Sequence, residues 1–210
     1  MKDLFKGWAT IPNFLSLTRI IITPVIAYLF INDMKIAAVI ILAVSALTDT
    51  FDGQIARRFN QVSALGKILD PVADKIQQIT IAVILLIEFH GASDPLIKAF
   101  GYVFIVFLAK EAVMLIGGLV MLLFGIRPGA AEIFGKLATL CFYVGMVIIL
   151  LFGPEVGAFS AYFTLPGVVT GAIVVICAIM TLIAFASYMP ETFRQFKEHF
   201  DEKKAQKESK

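Results

Sequence analysis

Apolar residues gather along this chain into six long stretches, separated by short polar or turn-rich breaks. Stretches of this length and uniformity are those of helices that cross a bilayer, and they predict six transmembrane helices in one bundle. They cover about 12–31, 35–59, 63–89, 95–124, 129–152 and 162–188. The breaks fall at Asn32-Asp33, at His90-Gly91, between Gly125 and Gly129, and at Gly153-Pro154, all turn-favouring residues. A short amphipathic segment, Met1 to Thr10, precedes the first helix, and a polar tail follows Pro190. The chain thus divides into a membrane domain, residues 1–189, and a tail, residues 190–210. The first stretch contains Arg19 and Pro24 and has no clear cleavage site, so it reads as a retained helix and not a signal peptide.

Composition agrees with the pattern. Hydrophobic residues make up 59% of the 210 and charged residues only 16%, against about 25% charged in a soluble domain. The mean hydropathy is +0.88. The fold class expected is therefore an all-α integral membrane protein, and nothing in the chain points to a nucleic-acid partner. The net charge of +2 matters less than where the charges fall. With the N-terminus in the cytoplasm, the inner side receives Lys2, Lys6, Arg57, Arg58, Arg127 and the tail lysines, and the outer side little beyond Lys35 and Lys98. The positive-inside bias then predicts a multi-pass protein with both termini in the cytoplasm. The tail carries six Lys or Arg against five Asp or Glu and reads as a solvated segment. Cys141 and Cys177 sit in apolar runs and read as small packing residues.

Against this background four aspartates stand out. The chain reads Asp49-Thr-Phe-Asp52-Gly53-Gln-Ile-Ala56-Arg57, then eight residues, then Gly66-Lys-Ile-Leu-Asp70-Pro-Val-Ala-Asp74. A carboxylate inside an apolar helix costs roughly 2.5–3.5 kcal/mol, so four left uncompensated rival the whole stability of a domain, about 5–15 kcal/mol. They lie at membrane depth. The clean apolar part of the second helix, Ile36 to Leu47, has 12 residues and spans roughly 18 Å, short of a hydrocarbon core about 30 Å thick. The third helix has the same deficit from its other end, so the motif must open to a polar cavity near the inner interface, facing the cytoplasm.

Asp49, Asp52, Gly53 and Ala56 fall on one helical face, as do Gly66, Asp70 and Asp74. The short connection between the helices makes them antiparallel neighbours whose acidic faces meet. Hard carboxylate oxygens suit Mg²⁺ or Mn²⁺ better than zinc. Gly53 and Gly66 serve either close helix packing or the approach of a bulky ligand. Arg57 serves either as an interfacial anchor or as a phosphate ligand. Lys110, Glu111 and Lys136 interrupt the fourth and fifth helices. They read as internal ion pairs, or as an acceptor-phosphate site with Arg19.

Together these residues resemble the CDP-alcohol phosphatidyltransferase family, whose signature is Asp-x2-Asp-Gly-x2-Ala-Arg-x8-Gly-x3-Asp-x3-Asp. All eight fixed positions are present within 26 residues, and the opening Pro12-Asn13-x4-Thr18-Arg19 extends the likeness. The resemblance implies transfer of a phosphatidyl group from CDP-diacylglycerol to an acceptor alcohol, with release of CMP. It implies that Asp49, Asp52, Asp70 and Asp74 hold two divalent cations, Mg²⁺ or Mn²⁺, and that Asp74 is the general base. It places Asp52, Gly53, Ala56, Arg57 and Gly66 around the cytidine diphosphate, with Arg57 on phosphate, and it implies a homodimer. No His-x-Lys nucleophile motif occurs at His90 or His199, which excludes the phospholipase D type of cardiolipin synthase.

The stretch through Arg58 and Asn60, with Leu69-Asp70-Pro71 and Asp74-Lys75, is similar to bacterial phosphatidylglycerophosphate synthases, which use glycerol 3-phosphate. Ala109-Lys110-Glu111 departs from the Ala-Arg-Glu of that group, and Leu137-Ala138-Thr139 departs from its Lys-Thr continuation after Gly135-Lys136. Those departures keep a CMP-forming cardiolipin synthase, with phosphatidylglycerol as acceptor, as the alternative. A divalent-cation transporter is the alternative from another class. It needs carboxylates but has no use for Gly53, Ala56, Arg57 and Gly66 at these spacings.

Overall fold

The computed structural model describes residues 10–58, 66–124, 126 and 133–208; the side chains of 49–58, 67, 68, 122, 123, 133, 200 and 202–208 lie outside that description. Among the described residues all regular structure is helical: α1 Ile11–Ile31, α2 Lys35–Arg58, α3 Gly66–Gly91, α4 Pro95–Leu123, α5 Ile133–Phe152 and α6 Gly167–Glu208. Four of them contain spans long and apolar enough to cross a membrane: Ile11–Ile31, Pro95–Met121, Phe134–Phe152 and Gly167–His199. Lys35–Thr48 is a shorter apolar helix. The chain is a multi-pass membrane protein.

Local chemistry sets the ends of α1. Thr10 caps its start, its hydroxyl accepting from the Asn13 N–H at 3.4 Å, with proline in the first turn. At the other end Asp33 has φ +59°. Its N–H donates to the Phe30 carbonyl at 3.0 Å, and the Met34 N–H donates to Leu29 at 2.9 Å. This is the paired closure that ends a helix through one left-handed residue. The buried face of α1 runs Asn13, Ser16, Arg19, Thr23, Ile26, Phe30, three or four residues apart. Its first half is polar and its second half apolar.

α1 packs on both α2 and α3; α4 packs on α3 and α6, α5 on α6, and α2 on α5. One apolar core joins them, with Leu42, Ile81, Leu85, Phe89, Phe142 and Leu150 all buried. Phe107 of α4 stacks on Phe142 of α5, centroids 4.4 Å apart. Small residues bring α6 close to its neighbours. A Cβ on Gly171 would meet the Phe100 ring of α4, and one on Gly145 would meet Cys177 Sγ at 2.7 Å. The two cysteines are free thiols, Sγ to Sγ 3.8 Å across α5 and α6, in keeping with a packing role.

Two differences from the sequence reading are physical. The expected close α2–α3 pair is bridged: α1 is the element packed on both, and α2 meets α3 through polar side chains described below. The sixth helix starts at Gly167, not near Tyr162, and runs through Pro190 to Glu208. Proline lacks one donor, but beyond it Thr192 bonds the Tyr188 carbonyl at 2.9 Å. Arg194 pairs with Glu191 at 2.8 Å and with Glu198 at 3.7 Å, supporting the helix on its exposed face. The amphipathic start expected over Met1 to Thr10 lies outside the described residues except for Thr10.

Candidate active site

The polar half of the α1 stripe faces α3. Arg19, only 1% exposed, donates Nη2 to Asp70 Oδ1 and Nη1 to Asp74 Oδ1. Ser16, one turn earlier, donates to Asp70 Oδ1 at 3.4 Å. The spacing of four residues puts Asp70 and Asp74 one turn apart on α3, and the guanidinium fork bridges them. The side chains of Asp70 and Asp74 are 46% and 29% exposed, so the pair is gripped from α1 yet stays open on another side.

Two polar contacts fix how α2 and α3 run past each other. Lys35 pairs with Glu88 at 2.9 Å. Ten residues further along α2, Ser45 accepts from Gln77 Nε2 at 3.1 Å, eleven residues back along α3. The two helices are therefore antiparallel at nearly one residue for one. Carried forward, Asp52 stands seven residues beyond Ser45 and Asp70 seven before Gln77; Asp49 stands four beyond and Asp74 three before. The backbone register thus sets the Asp52 position opposite Asp70 and the Asp49 position near Asp74, one turn apart along the bundle. The side chains of Asp49, Asp52, Gly53, Ala56 and Arg57 themselves lie outside the described residues. Gly66 opens α3, one turn before Asp70.

Lys75 follows Asp74 but turns to a different helix, pairing with Glu111 of α4. Glu111 is fully buried and also pairs with Lys110. Lys110 lies over the Phe107 ring, 5.1 Å from its centroid. The internal ion-pair reading of Lys110 thus has a geometric basis, and the structure adds Lys75, which that reading had not paired. Lys136 is exposed on α5 and forms no ion pair among the described residues. Arg19, grouped from sequence with the two lysines, stands instead on the aspartates.

Sequence reasoning also missed Ser16, Ser45, Gln77 and Tyr143. Gln77 is buried one turn beyond Asp74, between Ser45 of α2 and the Tyr143 hydroxyl of α5, which donates to it at 3.4 Å. One signal was available. Asn13, Ser16, Arg19 and Thr23 repeat at helical spacing inside an apolar run, which marks a face turned toward something polar.

The donor chemistry suits a hard divalent cation. Asp70 and Asp74 are oxygen donors converging on one place, and the structure already draws a cation there in the form of Arg19. Among the described residues no three His, Cys, Asp or Glu side chains stand together as a metal set, and Asp49 and Asp52 are not among those side chains.

Comparisons with known proteins bear on the same stretch. A profile of the CDP-alcohol phosphatidyltransferase family matches residues 9–189. The chain is 30% identical over 192 residues, 90% of its own length and 99% of the relative's, to a CDP-diacylglycerol--glycerol-3-phosphate 3-phosphatidyltransferase of Aquifex aeolicus (strain VF5). It is 32% identical over 148 residues, 68% of the chain and 65% of the relative, to a cardiolipin synthase (CMP-forming) of Streptomyces coelicolor. It is 51% identical over 75 residues, 35% of the chain and 25% of the relative, to the cardiolipin synthase (CMP-forming) of Homo sapiens. These likenesses set aside the cation-transporter alternative. With its signature complete from Asp49 to Asp74 and the family profile running from residue 9 to residue 189, this chain belongs to the CDP-alcohol phosphatidyltransferase family.

Proposed function

We propose that the protein transfers the phosphatidyl group of CDP-diacylglycerol to the hydroxyl of glycerol 3-phosphate, forming phosphatidylglycerophosphate and releasing CMP. The observation that supports this reading is the convergence of Asp70 and Asp74 at Arg19, within a signature that is complete from Asp49 to Asp74. Near end-to-end similarity to the Aquifex relative supports the choice of acceptor.

In this reading Asp49, Asp52, Asp70 and Asp74 hold two divalent cations, Mg²⁺ or Mn²⁺. Bound there, such ions supply positive charge to the diphosphate as negative charge builds on departing CMP. Arg57 binds diphosphate oxygens. Gly53, Ala56 and Gly66 leave room beside them for the nucleotide, and Asp52 borders it. Asp74 takes the proton of the acceptor hydroxyl. The acceptor oxygen forms a bond to the phosphatidyl phosphorus while the bond from that phosphorus to CMP breaks. Lys110 and Lys136 flank the acceptor phosphate. Glu111 fits the same picture, since a carboxylate that holds Lys75 and Lys110 keeps ammonium groups at membrane depth.

The topology proposed is six spans with both termini in the cytoplasm, residues 1–189 as the membrane domain and 190–210 as a cytoplasmic extension, with the site opening to the cytoplasmic face of the inner membrane. A homodimer is the proposed assembly. A second reading, phosphatidylglycerol as acceptor in a CMP-forming cardiolipin synthase, is supported by the Streptomyces and human relatives and by Lys110, which lacks the planar fork of arginine.

An acceptor screen tests the proposal. Purified protein receives CDP-diacylglycerol and, in turn, glycerol 3-phosphate, phosphatidylglycerol, inositol phosphate or serine, and CMP and lipid product are measured. Turnover with glycerol 3-phosphate alone is expected. Turnover with phosphatidylglycerol alone moves the assignment to the second reading, and no CMP with any acceptor ends both.

A further inference from the structure

Arg19 does something the transfer reaction does not by itself require. It is the most buried cation among the described residues, and both ends of its fork are committed to carboxylates, Asp70 Oδ1 and Asp74 Oδ1. Those carboxylates sit one turn apart on one face of α3, where two negative charges repel. The guanidinium bridges them from another helix, and Ser16 adds a donor to the same Asp70 oxygen. Arginine cannot shed its charge in a protein, and its planar fork meets two oxygens at once where a lysine would meet one.

We infer that Arg19 is a built-in counter-cation for Asp70 and Asp74, which stabilises the metal-free protein in the membrane and weakens the binding of divalent cations. The inference rests on the reading of these aspartates as metal ligands. Two consequences follow from the geometry. Without metal, the aspartates are compensated by a residue that is always present, so folding and insertion need not wait for an ion. With metal, a dication approaching the same carboxylates meets a fixed positive charge within a few ångströms, and that repulsion loosens its grip.

The test uses purified wild type, Arg19→Gln and Arg19→Lys in detergent. Thermal unfolding is followed in EDTA and across a Mn²⁺ titration, and bound Mn²⁺ is measured directly by paramagnetic resonance. Arg19→Gln is expected to unfold at a lower temperature in EDTA, to bind Mn²⁺ about tenfold more tightly, and to recover most of its lost stability at saturating Mn²⁺. Arg19→Lys is expected between the two. An unchanged unfolding temperature in EDTA, or Mn²⁺ binding that is unchanged or weaker, overturns the inference, since a purely structural arginine would not tighten the metal when removed. If Arg19→Gln does not fold, the pair Asp70→Asn and Arg19→Gln/Asp70→Asn decides. Recovery of folding in the double variant supports charge compensation, and a double variant that fails where Asp70→Asn folds overturns it. A wild type that shows no response to Mn²⁺ removes the metal reading, whereas a responsive wild type beside an unresponsive Arg19→Gln removes only this inference.

Discussion

Lys75 and Glu111 join α3 to α4 through an ion pair whose acid is fully buried. Lys110 approaches the same carboxylate from the adjacent position, so one glutamate compensates two ammonium groups. Removing one partner of a buried pair leaves charge uncompensated and costs about 3–5 kcal/mol. Glu111→Gln is therefore expected to lower the unfolding temperature sharply in detergent, and Lys75→Met/Glu111→Gln to recover part of the loss. Calorimetry or a thermal-shift assay reads both, and additive losses would show that the pair is not coupled.

The metal reading predicts the behaviour of Asp70→Asn. The side chain keeps its size and loses its charge, so membrane insertion is expected to persist while CMP release falls by at least about a hundredfold, the scale on which loss of charge stabilisation acts. Chelation of the wild type should stop turnover, and added Mg²⁺ or Mn²⁺ should restore it. Normal turnover of Asp70→Asn would remove this residue from the reaction.

Lys110 and Lys136 differ in a way kinetics can read. Lys110 is held by Glu111, whereas Lys136 is exposed and unpaired among the described residues. If both meet the acceptor phosphate, Lys136→Ala should raise KM for glycerol 3-phosphate with little change in KM for the CDP-lipid and little change in stability. Lys110→Ala should raise the same KM and lower stability as well.

Glu155 offers a dependence on pH away from the site. It lies in the turn after α5 with φ +63°, and its carboxylate accepts the Ser93 N–H at 2.7 Å and the Asp94 N–H at 3.2 Å, just before α4. The Ser93 donor, with Asp94 behind it, holds the carboxyl below its ordinary range. A carboxyl held low in the folded chain stabilises it above the unfolded value and loses that stabilisation as pH falls through the folded value. Glu155→Gln should thus unfold at a lower temperature than wild type near neutral pH, with the gap closing in acid.

In that same turn, a Cβ on Gly157 would stand 2.7 Å from the Gly153 nitrogen and 2.8 Å from the carbonyl oxygens of Gly153 and Leu151. Backbone cannot step aside as a side-chain tip can. Gly157→Ala is expected to cost about 1–3 kcal/mol, measured as a lower unfolding temperature, with CMP release per folded molecule unchanged.

Much of this architecture is legible in the chain because helical periodicity and apolar run length are local properties. The start of α2 at Lys35 and of α4 at Pro95 follow from turn residues beside them. The pairing of Asp70 with Asp74 follows from their spacing. Arg19 as their partner does not, since the contact spans more than fifty residues and depends on α1 packing between α2 and α3. Lys75 was hidden for a similar reason. One step along a helix turns a side chain by about 100°, so neighbours in sequence address different helices. Pro190 misled in the other direction: a residue that usually ends helices is carried here by good helix formers and their ion pairs.

The unbroken run of α6 has a mechanical consequence. Its 42 residues make a rod about 63 Å long, roughly twice the thickness of the hydrocarbon core. A spectroscopic label fixed near Glu208 would sit far from the packed core, at the end of the same helix that places Val174 and Cys177 in it. Any tilt of α6 at that core would be magnified at the label into a displacement large enough to measure.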